Sequence, residues 1–168
     1  ASEQAVVADA PIAEKLKDLM KKEGAYFATK EETHRLRTLL FNPDGGMNTA
    51  TVGKSAVYLA AMAGIQVPKG TRVLICELNK VGKDEPLSRE KLTTVLGWYT
   101  ASDWESGCER CIELIQFGGR GHSLIIHATD QKVIMAFGLE KPVFRIAVNT
   151  MGTLGAIGLT TGVMPSLT

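Results

Sequence analysis

Short aliphatic and β-branched runs alternate with amphipathic stretches along this chain, and that alternation restricts the fold more than any other feature. Ala5 to Ala8 is valine-rich and reads as a strand. Pro11 then opens a stretch in which Ile12, Leu16, Leu19 and Met20 recur at helical spacing up to Gly24. Thr29 and Glu32 form a capping-box pattern ahead of a second helix, whose apolar face is Leu36, Leu39 and Leu40 and which breaks at Asn42-Pro43-Asp44-Gly45-Gly46. Ala56, Leu59, Ala60 and Ala63 give a small-residue helical face closed by Gly64. Further strands are expected over 72–78, 95–101, 122–127 and 143–148. Between the second and third of these, Asp103 can cap a helix with Trp104, Cys108, Cys111 and Ile115 on one stripe; between the third and fourth, a short helix covers Asp130 to Phe137. Such alternation predicts an α/β layer fold, a largely parallel sheet flanked by helices.

A chain of 168 residues has room for one core of ordinary domain size. Its 19 Lys and Arg face 18 Asp and Glu, a net charge of +1, so the long-range field that draws in nucleic acid or an anionic membrane is missing. Cys76, Cys108 and Cys111 are odd in number and unevenly spaced, and no secretory leader pattern opens the sequence. A reducing, cytoplasmic setting without a disulfide framework is expected. Residues 149–168 carry no charge and are rich in Gly and Thr. Thr150, Thr153, Thr160, Thr161, Pro165 and Ser166 interrupt that apolar run long before the roughly 20 residues a membrane span needs. The expected organisation is an α/β segment over 1–148, then a buried or ligand-facing loop over 149–168 that continues into further protein. Both ends read as cut from a longer chain.

Several motifs have a chemical and a plain reading. Gly46 to Ser55, GMNTATVGKS, ends like a phosphate-binding loop, yet the glycine needed five positions before Gly53-Lys54-Ser55 is replaced by Asn48, and no buried strand precedes it. Lys54 reads instead as an exposed residue in the first turn of a helix. Cys108 and Cys111 have CxxC spacing, but a zinc site needs four ligands and no second close pair exists. A redox pair would sit at a helix start, whereas Cys108 comes about a turn and a half after the Asp103 cap. Core packing is therefore the expected role of both cysteines, with redox or metal chemistry the alternative. His122 and His127 are an odd number of residues apart in an expected strand, which sends them to opposite faces and prevents a shared metal. Gly118-Gly119-Arg120-Gly121-His122 precedes a strand rather than following one, unlike a dinucleotide fingerprint. It reads as a tight helix-to-strand connection or, functionally, as backbone amides and His122 facing a ligand. Glu90, beside Arg89 and Lys91, reads from composition alone as a solvated surface charge.

Rarer strings occur in one order: ASEQAVV at 1–7, VGKSA with AGIQVP within 52–68, EPLSREKL at 85–92, FGGRGHS with IIH within 117–127, KPVFRIAVNT at 141–150 and GAIGLTTGVMPSLT at 155–168. With these the chain resembles the C-terminal half of the CoA-acylating aldehyde dehydrogenases. That family includes the aldehyde dehydrogenase part of bifunctional aldehyde-alcohol dehydrogenases and the acylating enzymes of bacterial microcompartments. The resemblance implies an aldehyde dehydrogenase-like catalytic domain whose cysteine nucleophile falls just before Ala1, outside this sequence, and whose dinucleotide-binding domain lies upstream; none of the three cysteines present matches the nucleophile. Glu90 aligns with a glutamate that accepts hydrogen bonds from the nicotinamide ribose, two carboxylate oxygens suiting a vicinal diol. Thr94 stands where the family often has proline. The loop 149–157, with Thr153, Gly155 and Ile157, is similar to the family's aldehyde-pocket wall, and His122 would line the same cleft.

The chemistry so implied is thiolate attack on a short-chain aldehyde, hydride transfer to NAD, and transfer of the acyl group from enzyme sulfur to coenzyme A. A homo-oligomeric parent, in the cytoplasm or a bacterial microcompartment, is implied in the same way. The alternative from another class is a non-catalytic binding or oligomerisation module, since no nucleophile and base can be paired within the sequence.

Overall fold

Four parallel strands make the main sheet of the computed structural model, which describes residues 3–165. Ala1 and Ser2 of the first matching string, and Ser166 to Thr168 of the last, lie outside the described residues. In chain order the main-sheet strands are β1 (Ala5–Asp9), β2 (Ala25–Ala28), β3 (Val73–Glu77) and β4 (Val95–Ala101); in space they run β1-β4-β3-β2. The register sets Ala5 opposite Gly97, Leu74 opposite Val95 and Ala25 opposite Val73. Parallel neighbours require crossovers, and helices supply most of them. These are α1 (Ala10–Lys22) after β1, then α2 (Lys30–Leu40) and α3 (Ala56–Met62) between β2 and β3. A single 3-10 turn, Pro86–Ser88, lies in the otherwise irregular link from β3 to β4. Beyond β4, α4 (Trp104–Gly118) leads to a second, two-stranded parallel sheet of β5 (Ser123–Ile126) and β6 (Arg145–Val148), bridged by α5 (Gln131–Glu140) and followed by α6 (Gly152–Ala156).

The expected α/β architecture with a largely parallel sheet is the one observed. Central β3 is covered on both faces, which is why it reads as an unbroken apolar run. Its pleat sends Leu74 and Cys76 into one cluster with Leu36, Leu40, Leu59, Leu87 and Val95, and Ile75 into another with Ala8, Ala13 and Trp98. Phe27 meets Trp98 edge-on, with ring centroids 5.6 Å apart. A third cluster joins Cys108, Ile126 and Phe137, with Trp104 and Cys111 packed against it. The CxxC cysteines therefore pack in the core, as their stripe implied.

The capping chemistry read from the sequence is present in full. Thr29 Oγ1 accepts from the Glu32 amide at 3.2 Å while Glu32 Oε2 accepts from the Thr29 amide at 2.8 Å. Asp103 accepts from the Ser106 amide at 2.8 Å; Asp130, which reads from the sequence as the first residue of its helix, is instead the N-cap of α5 and accepts from the Lys132 amide at 2.8 Å.

Elsewhere the structure revises the reading. Strand β2 was not foreseen. It occupies only the four residues between Gly24 and the Thr29 cap and pairs on one side with β3, so neither length nor alternation marks it. Lys54 is exposed as expected but precedes Ser55, the N-cap of α3, instead of lying in the helix. His122 and His127 flank β5 rather than lying in it, and α5 runs on to Glu140. Within 149–168 a helical turn, α6, interrupts what reads as irregular loop.

Candidate functional site

The chain entering β1 is strapped to the segment that precedes β4. Gln4 carries the strap: its carbonyl accepts from the Gly97 amide at 3.0 Å and from Lys91 Nζ at 3.1 Å, and its Oε1 accepts from the Lys91 amide at 2.8 Å. Lys91 Nζ donates also to the carbonyls of Leu87 at 2.7 Å and Arg89 at 2.8 Å. That ammonium is 1% exposed, and burial pushes its pKa down to about 8, opposed by the more distant charges of Cys76, Glu85 and Glu90.

Local sequence explains why the segment holds its shape. Pro86 starts the 3-10 turn, and Glu85 caps it by accepting from the Leu87 amide at 3.3 Å. The same carboxylate takes two bonds from Arg37 of α2, from Nε at 3.0 Å and from Nη2 at 2.6 Å. Ser88 Oγ donates to the Glu85 carbonyl at 2.6 Å and accepts from the Gly82 amide at 3.2 Å. After Lys91 the backbone turns sharply, with Leu92 at φ 48°, and the Leu92 carbonyl accepts from the Gly53 amide at 3.0 Å. Thr94, at the family's frequent proline position, donates its hydroxyl to the Lys54 carbonyl at 3.2 Å. The side chain thus ties down a turn that a proline ring would otherwise stiffen.

Glu90 is exposed between these anchors. The end of α4 comes up against it: a β-carbon on Gly118 would sit 3.5 Å from the Ser88 carbonyl oxygen and 3.8 Å from the Glu90 amide nitrogen. His122, half-buried, folds its imidazole over Gly119, where a β-carbon would overlap the ring. The structure therefore sets the Glu90 backbone against Gly118, where the glycine-rich loop begins, and ties the same segment to the residues entering β1 through Gln4; His122 packs on Gly119 within that loop. The loop carrying Thr153, Gly155 and Ile157 meets the β1 entrance at its first helical residue: a β-carbon added to Gly152 would collide with the Glu3 carboxylate and lie 2.9 Å from Ile125 Cδ1, whereas Thr153, Gly155 and Ile157 themselves are not brought against Glu90 or His122. Gly155 is buried against Thr150 and Ala147, which leaves no space for a side chain, whereas Thr153 and Ile157 are exposed. Arg145 holds the far side of this loop through the carbonyls of Ala156 and Met164.

Gln4, Lys91 and Arg145 were not singled out from the sequence. A lysine in PLSREKL carries no local sign of burial, and the carbonyls it binds belong to irregular backbone. Cys76 lies in the core beneath this group, in one cluster with Leu87, while Cys108 and Cys111 pack in another cluster. Burial pushes the Cys76 thiol up to about 11, against a hydrogen bond with Thr33, and raises Cys111 to about 11, with Cys108 adding to the shift. Among the described residues no three His, Cys, Asp or Glu side chains are placed to hold a metal ion. An open cleft of about 620 Å³ between the 79–84 loop and α4, with Lys80, Lys83, Asp84, Arg110 and Glu113 on its walls, contains none of the residues nominated from the sequence.

No protein-family model matches the chain. The aldehyde-alcohol dehydrogenase of Clostridium acetobutylicum is 40% identical over 161 residues, which is 94% of this chain and 19% of that protein. The succinate-semialdehyde dehydrogenase (acetylating) of Clostridium kluyveri is 31% identical over 168 residues, 99% of this chain and 37% of that protein. An acetylating aldehyde dehydrogenase from Geobacillus thermoglucosidasius superposes with a TM-score of 0.94 at 42% identity, covering 100% of this chain and 37% of its own. A propionaldehyde dehydrogenase from the fucose utilisation bacterial microcompartment of Clostridium phytofermentans gives a TM-score of 0.89 at 32% identity, covering 99% and 37%. This chain thus spans between a fifth and somewhat over a third of the length of the relatives it matches. Sequence and fold agree along nearly all of it, so the chain is homologous to a segment of the acylating aldehyde dehydrogenases.

Proposed function

We propose that this chain is the catalytic-domain segment of an enzyme that converts a short-chain aldehyde, coenzyme A and NAD to acyl-CoA and NADH, through a thioester on a cysteine located just before Ala1. The observation that carries this reading is the grouping of Glu90 with the glycine-rich loop and with the strand entrance that follows that cysteine. Glu90 suits a ribose diol: its carboxylate is exposed, and the backbone on either side is anchored. NAD, when bound, supplies the hydride acceptor, and coenzyme A the thiol that takes up the acyl group.

Glu90 orients the sugar by accepting hydrogen bonds from its hydroxyls. His122 lines the cleft, and the loop 149–157 walls it with the apolar Ile157 and the small Thr153 and Gly155, a size suited to a small aldehyde. The division of the chain at 148/149, with the loop continuing into further protein, belongs to the same reading. Exposed apolar side chains around the second sheet, Leu139 on α5, Phe144 just before β6, and Leu159 and Met164 beyond α6, support contact with more protein, including a second copy in a homo-oligomer. No helix among the described residues is long and apolar enough to cross a membrane. We place the parent in the cytoplasm or, by analogy with the propionaldehyde dehydrogenase, in a microcompartment.

The test uses the full-length protein with NAD, coenzyme A and acetaldehyde or propionaldehyde. Glu90→Ala should raise the KM for NAD or slow hydride transfer with folding intact, a loss of about 1.5–3 kcal/mol in transition-state binding for hydrogen bonds to a charged acceptor. Steady-state kinetics unchanged across NAD concentrations would remove Glu90 from the site. A binding or assembly module without chemistry predicts no NADH from the full-length protein under any of these conditions.

A further inference from the structure

Lys91 is the most deeply buried charge in the candidate site, and every donor on its ammonium is committed to main-chain oxygen. The Leu87 and Arg89 carbonyls come from its own segment, and the third, that of Gln4, lies 87 positions away. Taking an ammonium out of water is costly, and an apolar side chain of similar length would fill the same space without that cost. The cost is offset here because all three donors of the ammonium find main-chain acceptors, the Leu87 and Arg89 carbonyls of the turn and the Gln4 carbonyl, which also accepts from the Gly97 amide.

The geometry has a direct consequence for Glu90. The carbonyl of Arg89, the residue before it, is held by Lys91 Nζ; the amide of Lys91, the residue after it, is held by Gln4 Oε1. Glu90 is therefore bracketed by bonds on both peptide groups while its carboxylate projects to solvent. We propose that Lys91 is a positioning residue: its ammonium clamps the chain entering β1 to the segment bearing Glu90 and so fixes the distance between the ribose-binding carboxylate and the strand entrance. This rests on the reading of Glu90 given above and adds the residue that holds it in place. Gln4 completes the clamp from the other side, since one residue receives both the side-chain and the main-chain bond.

The test compares Lys91→Met, which keeps the length but removes the donors, and the milder Gln4→Leu, which removes the side-chain acceptor of the Lys91 amide and keeps the Gln4 carbonyl, in the full-length protein. Two readouts are taken: steady-state kinetics with propionaldehyde, NAD and coenzyme A, and amide hydrogen exchange over residues 86–97. Lys91→Met should raise the KM for NAD about tenfold, leave the KM for coenzyme A within about twofold, and speed exchange at the Lys91 and Gly97 amides. Gln4→Leu should move the same quantities in the same direction by about threefold, and it decides the matter if Lys91→Met does not fold. A fall in kcat that merely tracks the folded fraction, with the KM for NAD and the exchange unchanged, would overturn the clamp. A wild-type protein that reduces no NAD with aldehyde and coenzyme A would sink the functional reading alone; the clamp would then stand or fall on exchange at Gly97.

Discussion

Replacing Glu85 by alanine should destabilise the chain by about 2–3 kcal/mol, and the structure supplies the reasoning for that size. The carboxylate is buried and receives two bonds from Arg37, at 3.0 and 2.6 Å, and one from the Leu87 amide at 3.3 Å. Breaking a fully buried pair costs about 3–5 kcal/mol because the remaining charge is stranded, whereas an exposed pair is worth about 0–1 kcal/mol. Arg37 lies between these limits: its side chain is 28% exposed, so the freed guanidinium regains part of its hydration and the cost falls below the buried figure. The Leu87 amide also loses its cap, which keeps the cost above the exposed figure. Urea unfolding followed by tryptophan fluorescence reads this directly, because Trp98 is buried in the main sheet beside Phe27. At a slope of about 2 kcal/mol per molar urea, the midpoint should fall by roughly 1–1.5 M. Arg37→Ala and the double variant complete a cycle, and a coupling of about 1–2 kcal/mol is expected. A loss under about 0.5 kcal/mol, or a coupling near zero, would refute the argument that this pair anchors the turn ahead of Glu90.

Three further outcomes are expected. Burial raises the Cys76 thiol from 9.0 to about 11, so between those pH values the unfolded chain releases a proton that the folded chain keeps. Cys76 thus contributes stability that is full below about pH 9 and lost as pH rises through about 11; the wild type should lose about 2–3 kcal/mol relative to Cys76→Ala across that window, and parallel urea midpoints would refute this. Cys108 and Cys111 should bind no stoichiometric zinc, because they pack with Ile126 and Phe137; elemental analysis finding one zinc per chain would contradict that. The isolated chain should form no NADH from acetaldehyde or propionaldehyde with NAD and coenzyme A, since the proposed reading takes the nucleophilic thiolate from outside it and Cys76, Cys108 and Cys111 pack in or against the core. Turnover abolished by alkylating Cys76, Cys108 or Cys111 would show that the nucleophile lies inside the sequence.

Local chemistry made much of this molecule legible before its structure. The Thr29 and Glu32 capping box, the Asp103 cap and the apolar runs of β3 and β4 are decided within a few residues, so pattern alone identifies them. The rare strings around Glu90 and His122 pointed to the family, and whole-chain matches agree with it. Strand β2 escaped because four half-buried residues at a sheet edge carry no periodicity of their own; the strand exists because β3 offers it hydrogen bonds. Strand order could not be read either, since alternation tells which face of a strand is dry but not which strand lies beside it. The same limit hid Lys91. In the sequence it is one charge among Arg89 and Glu90, with nothing to set it apart from a solvated lysine. Only the fold, by laying Gln4 alongside the turn that carries Leu87 and Arg89, assembles the three carbonyls that make burying its ammonium possible.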